Sequence, residues 1–172
     1  RRPNTEVSED NNIKNLLLAE TSVVTVFGKS WDFQVKEILK TSLDENLNMI
    51  GDTIKYLTSK NKEVIFDAEH FFDGYKQNKE YAISTVKVAA ESGAKSVVLC
   101  DTNGGTLPDE IKNITEEVVD IIGGNVGIHC HDDMGMAVAN SIVATQVGAN
   151  QIQGTFIGIG ERCGLKYIPI AM

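Results

Sequence analysis

The chain has 172 residues, 42% of them hydrophobic, and a formal net charge of −8 from sixteen Lys and Arg against twenty-four Asp and Glu. That length and apolar share suffice for one domain with a sizeable core. The basic residues are scattered singly, so there is no stripe to track phosphates and no nucleic-acid partner is expected. No apolar run approaches the ~18 residues of a membrane span, and the segment from Arg1 to Asp10 is too polar for a signal-peptide core, so the expected location is the cytoplasm. Three cysteines, Cys100, Cys130 and Cys163, form no Cys-x-x-Cys pair; they are expected as reduced thiols packed as small buried groups.

Along the chain, short β-branched runs alternate with helix-period stretches. A helix is expected over Ser8 to Ala19, then a strand over Ser22 to Phe27, a long helix over Gln34 to Leu57 and a strand over Val64 to Asp67. There follow a helix over Asn78 to Ser92, a strand over Ser96 to Asp101, a helix over Pro108 to Ile122, a strand over Val126 to His131, a helix over Gly135 to Val147 and a strand over Asn150 to Thr155. The strands read as near-continuous apolar segments, as in a parallel sheet covered by helices. Pro108 suits a first helical turn, and Gly93 and Gly148 suit C-terminal caps. No linker or low-complexity segment divides the chain.

Nearly every strand ends in polar or glycine residues: Gly28-Lys29-Ser30, Asp67-Ala68-Glu69-His70, Asp101-Thr102-Asn103-Gly104, His129-Cys130-His131-Asp132 and Gly154-Thr155. Barrel enzymes gather their chemistry from several strand ends at one face. A doubly wound sheet concentrates it in one crevice behind a glycine-rich loop, and Gly158-Ile159-Gly160 is only a lone Gly-x-Gly. A barrel is therefore expected, with an open sheet as the alternative.

His129 and His131 lie two apart in a strand-like segment, so both imidazoles share one face. That arrangement suits a first-row divalent metal, and equally a pair of buried histidines bonded to neighbours. Asp132 and Asp133 are expected to brace the imidazoles or a helix N-terminus instead of ligating. Asp67 and Glu69 share a face in the same way, followed by His70. Glu69 is the candidate acid or base, against the alternative of a carboxylate paired to a lysine or arginine at a neighbouring strand end. Thr102 and Asn103 are candidates to hydrogen-bond a substrate carboxylate, or to cap their own turn. Lys29 and Ser30 are candidates for an anion. Trp31, Phe33, Phe71, Phe72 and Tyr75 are expected in core or rim packing.

Three segments taken together resemble one family: 97–108 (Val97 to Pro108, containing Cys100-Asp101-Thr102-Asn103-Gly104-Gly105), 127–133 (His129-Cys130-His131-Asp132-Asp133) and 154–164 (Gly160-Glu161-Arg162-Cys163-Gly164). They are similar to the 2-isopropylmalate, homocitrate and citramalate synthases, and segments 27–33 and 67–76 look most like the pyruvate-using branch. The resemblance implies a (β/α)8, or TIM, barrel of which residues 1–172 supply roughly strands four to eight of one catalytic domain. It further implies an acyltransferase joining acetyl-CoA to a small 2-keto acid, with one divalent metal (Mg, Mn or Zn). His129 and His131 would be metal ligands, Glu69 part of the catalytic machinery and Thr102 the holder of the keto-acid carboxylate. Glu161 and Arg162 would support the site. With three barrel strands expected to be missing, the exposed sheet edges point to a homodimer that covers them.

Two departures accompany the resemblance. The family's first-strand aspartate ligand and neighbouring arginine have no counterpart in this chain. Where the family places an asparagine ligand after the Gly-Glu-Arg-x-Gly turn, this sequence has Leu165. Arg1 and Met172 at the ends lead us to expect a truncated chain, and residues 1–172 alone are expected to bind metal weakly and to lack activity. A non-catalytic barrel remnant and a metal hydrolase are the competing readings.

Overall fold

The computed structural model describes residues 1–165 and the backbone of 167 and 168; the end of the chain at Met172 lies outside the described residues. Helix α1 (Asn11–Leu18) precedes strand β1 (Val23–Lys29), helices α2 (Asp32–Glu37) and α3 (Leu43–Ser59) and strand β2 (Glu63–Glu69). Helices α4 (Phe71–Gln77) and α5 (Lys79–Glu91) lead to β3 (Ser96–Asp101), α6 (Pro108–Ile122), β4 (Val126–Cys130), α7 (Ala137–Gln146) and β5 (Gln151–Gln153). Two short strands, β6 (Thr155–Phe156) and β7 (Tyr167–Ile168), pair with each other.

Strands β1 to β5 form one sheet in strict chain order, every neighbouring pair parallel. A doubly wound sheet reverses its strand order part-way. This one does not, so the chain is an arc of a (β/α)8 barrel, and the open-sheet alternative is set aside.

Strand alternation sorts side chains onto two faces. Val24, Val64, Phe66, Ala68, Val97, Leu99, Val126, Ile128 and Cys130 form one core with Ile50, Ile54 and Leu57 of α3, Val86 and Ala89 of α5, and Ile111 and Val118 of α6. Burying each large aliphatic or aromatic side chain contributes on the order of 2 kcal/mol. The opposite face carries Lys29, Asp67, Glu69, Cys100, His129 and Gln153 at alternate positions.

Helix boundaries follow local chemistry. Helix α6 starts at Pro108, where a missing N–H costs nothing, and Glu110 Oε2 accepts from the Leu107 N–H at 3.0 Å. It ends at Gly123, whose φ of 57° is the left-handed cap favoured by glycine. The stretch expected as one helix from Gln34 to Leu57 is two. The turn between them includes Lys40 at φ 52°, and Ser42 begins α3 by accepting from the Glu45 N–H at 3.1 Å. Helix α4 was not expected; it inserts Phe71 and Phe72, both fully buried, under β2 and β3. Strand β4 stops at Cys130; beyond it the His131 N–H donates to the Asp101 carbonyl at 3.2 Å and His131 forms an isolated bridge with Leu165, and the expected last strand breaks at Gly154.

Among the aromatic residues expected in core or rim packing, Phe33 is exposed and Trp31 lies at the rim against Phe33 and His70. None of the three cysteines is in a disulfide; Cys100 and Cys130 are buried, whereas Cys163 is exposed, contrary to expectation. Among the described residues no helix is long and apolar enough to cross a membrane.

Gly74 fixes how closely α4 approaches the end of β1. A Cβ there would lie 2.3 Å from Ser30 O and 2.9 Å from Trp31 Cα. Because these are backbone atoms, no side-chain rotation relieves the clash. Gly74→Ala should therefore destabilise by about 1–3 kcal/mol, whereas Gly124→Ala, whose Cβ comes no closer than 3.7 Å, should change stability by less than about 0.5 kcal/mol. Urea midpoints at constant m-value measure both. Equal midpoints for the two variants would contradict this packing.

Candidate metal centre and catalytic face

The C-terminal ends of β1 to β4 place Lys29, Glu69, Thr102 and His129 along one rim. Lys29 and Glu69 are direct neighbours in the β1–β2 register, and Cys100 is the neighbour of His129 in β3–β4. Lys29 Nζ donates to Glu69 Oε2 in an ion pair with both side chains largely shielded. The pairing of Glu69 to a neighbouring strand's lysine, one of the two readings of the sequence, is thus present, and it fixes the carboxylate at the rim. Lys29 is consequently engaged, and not a free anion-binding lysine. Ser30 is fully buried and accepts from Thr85 Oγ1 at 2.9 Å, so it serves packing.

The two histidines share a face as the alternation requires, with ring centroids 5.2 Å apart and an interplanar angle of 31°. Their surroundings differ. His129 Nδ1 is 2.7 Å from Gln153 Oε1, while Gln153 Nε2 donates to Asp67 Oδ1 at 2.8 Å. Because the amide oxygen can only accept, Nδ1 carries a proton in this contact. Burial pushes the Asp67 carboxyl above the usual carboxylate range, and the Gln153 hydrogen bond and His129 pull it back.

His131 has no such brace. Its Nδ1 is buried and lacks a hydrogen-bond partner among the described residues, and its Nε2 is 3.9 Å from Glu161 Oε2. Burial, then His129 and Arg162, hold its pKa below the ordinary histidine value. A buried imidazole nitrogen with no partner costs about 1–3 kcal/mol, and a divalent cation is one ligand that would satisfy it. A second group of donors, which does not include His131, fits such an ion: one ligand atom each of Asp67, Cys100 and His129 lie within 4.8 Å of one another.

The loops beyond the rim are built on acids. Asp101 is buried on the helix side of β3, where it accepts from Thr106 Oγ1 at 2.9 Å and Thr106 N at 3.3 Å. Burial raises its pKa and these bonds lower it. The turn so fixed carries Thr102, whose Oγ1 accepts from the His70 N–H at 2.8 Å and whose carbonyl accepts from Arg162 Nη2 at 2.6 Å. That bond uses one of the two lone pairs of the Thr102 hydroxyl, whose own hydrogen remains a donor.

His70 itself sits at φ 54° and ψ 34°, a left-handed conformation that costs a non-glycine residue about 1–3 kcal/mol. The bond to Thr102 and the contact of its Nδ1 with Asp73 Oδ2 at 3.2 Å offset that cost. Asn103 donates to the same Asp73 oxygen at 3.1 Å, so it supports the turn. Asp132 accepts from Ala137 N at 2.9 Å and begins α7, and Asp133 is gripped by Arg162 at 2.7 and 2.9 Å. Neither aspartate hydrogen-bonds an imidazole; both are structural. Arg162 thereby ties Asp133 and Glu161 to the Thr102 carbonyl.

Sequence reasoning passed over Gln153 and treated Cys100 as core. For Gln153 the signal was available: Gln151-Ile152-Gln153 alternates and puts two amides on the polar face. Its partners across three strands were not readable.

The HMGL-like family model matches residues 6–169. The (R)-citramalate synthase of Aquifex aeolicus is 59% identical over 165 residues, 95% of this chain and 31% of that protein. The (R)-citramalate synthase of Sulfolobus acidocaldarius is 48% identical over 176 aligned residues, 100% of this chain and 34% of that protein. The chain thus spans about a third of the length of these curated relatives. Among solved structures, the HMG-CoA lyase of Bacillus subtilis superposes with a TM-score of 0.79 at 21% identity, covering 90% of this chain and 55% of that one, a likeness of fold. With a matching family model over nearly its whole length and the same fold in a solved structure, the chain belongs to the HMGL-like family.

Proposed function

We propose that residues 1–172 are part of the catalytic barrel domain of an acyltransferase that condenses acetyl-CoA with a 2-keto acid, pyruvate, to give citramalate. The observation that carries this reading is the convergence of His129, His131, Glu69 and Thr102 on one polar barrel rim, in a chain 47–59% identical to five (R)-citramalate synthases. His129 and His131 would hold a divalent cation. When bound, that cation supplies Lewis-acid polarisation of a ketone. Thr102 donates its hydroxyl to the keto-acid carboxylate, with Arg162 and the His70 amide fixing its orientation. Glu69, held by Lys29, accepts the proton from the acetyl methyl group; the carbon so deprotonated adds to the ketone carbon as the C=O π electrons pass to the ketone oxygen, which takes up a proton from solvent. Release of coenzyme A follows by hydrolysis of the thioester. The working assembly is a homodimer in the cytoplasm.

Coenzyme A release by the whole protein, followed with a thiol reagent in steady state, tests the reaction. Protein thiols such as exposed Cys163 add only an initial increment. Turnover with pyruvate should exceed that with 2-ketoisovalerate, since each additional methylene is discriminated by about 1–3 kcal/mol. Equal or faster turnover of 2-ketoisovalerate would reject pyruvate as the substrate, and no release with any keto acid would reject the function.

The residue roles separate kinetically. Glu69→Gln should lower kcat by about 100- to 10,000-fold, the usual contribution of a positioned acid or base, with the KM for pyruvate little changed. Thr102→Val should instead raise that KM by about ten- to a hundredfold, the worth of one hydrogen bond to a charged group. Chelation of divalent ions should abolish turnover and re-addition restore it. An unchanged kcat in Glu69→Gln would remove Glu69 from the chemistry.

A further inference from the structure

The inner face of the sheet brings three different kinds of donor together at a point below the rim: the Asp67 carboxylate, the Cys100 thiol and the His129 imidazole. Their ligand atoms lie within 4.8 Å of one another. The register makes this a property of the fold. Cys100 is the Cα neighbour of His129, and Asp67 is the neighbour of Val98, two residues below Cys100 on the same face. Gln153 bonds to both Asp67 and His129 and holds the two outer donors in place. Cys100 is buried, with its Sγ in only a long 3.8 Å contact to the Val98 carbonyl.

These donors sort cations. A hard ion such as magnesium takes oxygen ligands and gains nothing from sulfur, whereas zinc, cobalt and cadmium bind thiolate strongly. Around a tetrahedral ion with bonds of about 2.0–2.3 Å, donor atoms sit roughly 3.5 Å apart. The donor atoms, within 4.8 Å of one another, are at most about 1.3 Å wider than that spacing.

We propose that Cys100 is a ligand to the cation held by His129, with Asp67 as its carboxylate partner, so that this centre selects a thiophilic divalent ion. The inference rests on the reading of His129 as a metal ligand. On binding, the sulfur–hydrogen bond of Cys100 breaks, a sulfur–metal bond forms and the proton passes to solvent.

Cobalt titrated into the whole protein, in a Cys163→Ser background that removes the exposed thiol, tests it by spectroscopy. The expected result is a thiolate-to-cobalt charge-transfer band in the near ultraviolet. Cys100→Ser should abolish that band and weaken cobalt binding by at least about tenfold, while calorimetric magnesium affinity stays the same. Cys130→Ser, on the helix side of β4, should leave the band intact. Cobalt binding without the band, or with a band that survives Cys100→Ser, overturns the role of Cys100 and leaves the metal reading of His129 standing. No cobalt binding at all in calorimetry overturns both.

Discussion

Parallel pairing in a fixed register is the constraint on which this molecule depends. Alternation gives every strand an apolar face toward the helices and a polar face toward the barrel interior, and only one register keeps the polar positions together. A one-residue slip of β4 would drive His129 and His131 into the helix layer and turn Ile128 and Cys130 inward. The core therefore protects the site's geometry. Val64, Phe66 and Ala68 bury completely on one side of β2, and the same pleat holds Asp67 and Glu69 on the other.

The three acids at the ends of β2 and β3 show how position decides use. Asp67 and Asp101 both have pKa values raised by burial, yet they face opposite ways. Asp101 faces the helices and is consumed by two bonds from Thr106, which shape the turn carrying Thr102. Asp67 faces inward and has a single amide as brace. Glu69 is answered by a lysine at the rim. Desolvation alone thus does not identify a functional carboxylate; what else is bonded to it does.

The fold was largely legible because apolar runs and punctuation are local properties. Strand β3 and helix α6 fall where the sequence puts them at both ends, helped by Pro108 and Gly123. The break before α3 was also written locally, in the Ser42-x-x-Glu45 capping signature, but helical periodicity on both sides obscured it. Helix α4 was hidden because its seven residues follow His70, whose left-handed backbone nothing in a histidine announces. At the site, alternation correctly predicts which residues share a face. Which residue faces which across strands depends on register, so the Lys29–Glu69 pair, the Gln153 brace and the Asp67–Cys100–His129 cluster emerge only in three dimensions.

The His-x-His segment shows what structure adds to a motif. From sequence, two histidines on one strand face read equally as metal ligands or as bonded core residues. In the fold the two part company: His129 is bonded through Nδ1 to Gln153, while His131 keeps a buried nitrogen with no partner among the described residues. The residues around His131 are nevertheless well fixed. The Asp132 N–H donates to the Gly164 carbonyl at 3.0 Å, and the Leu165 N–H to the Gly158 carbonyl at 3.2 Å. The turn between is pinned by Arg162 on Asp133 and Thr102. A Cβ on Gly164, at φ 108°, would fall 2.3 Å from the Gly158 carbonyl oxygen, so the turn requires glycine there. Backbone bonds, a glycine and an arginine thus hold in place a ring whose Nδ1 has no hydrogen bond among the described residues, and ordering of this kind around an unsatisfied nitrogen is the preorganisation that a ligand site needs.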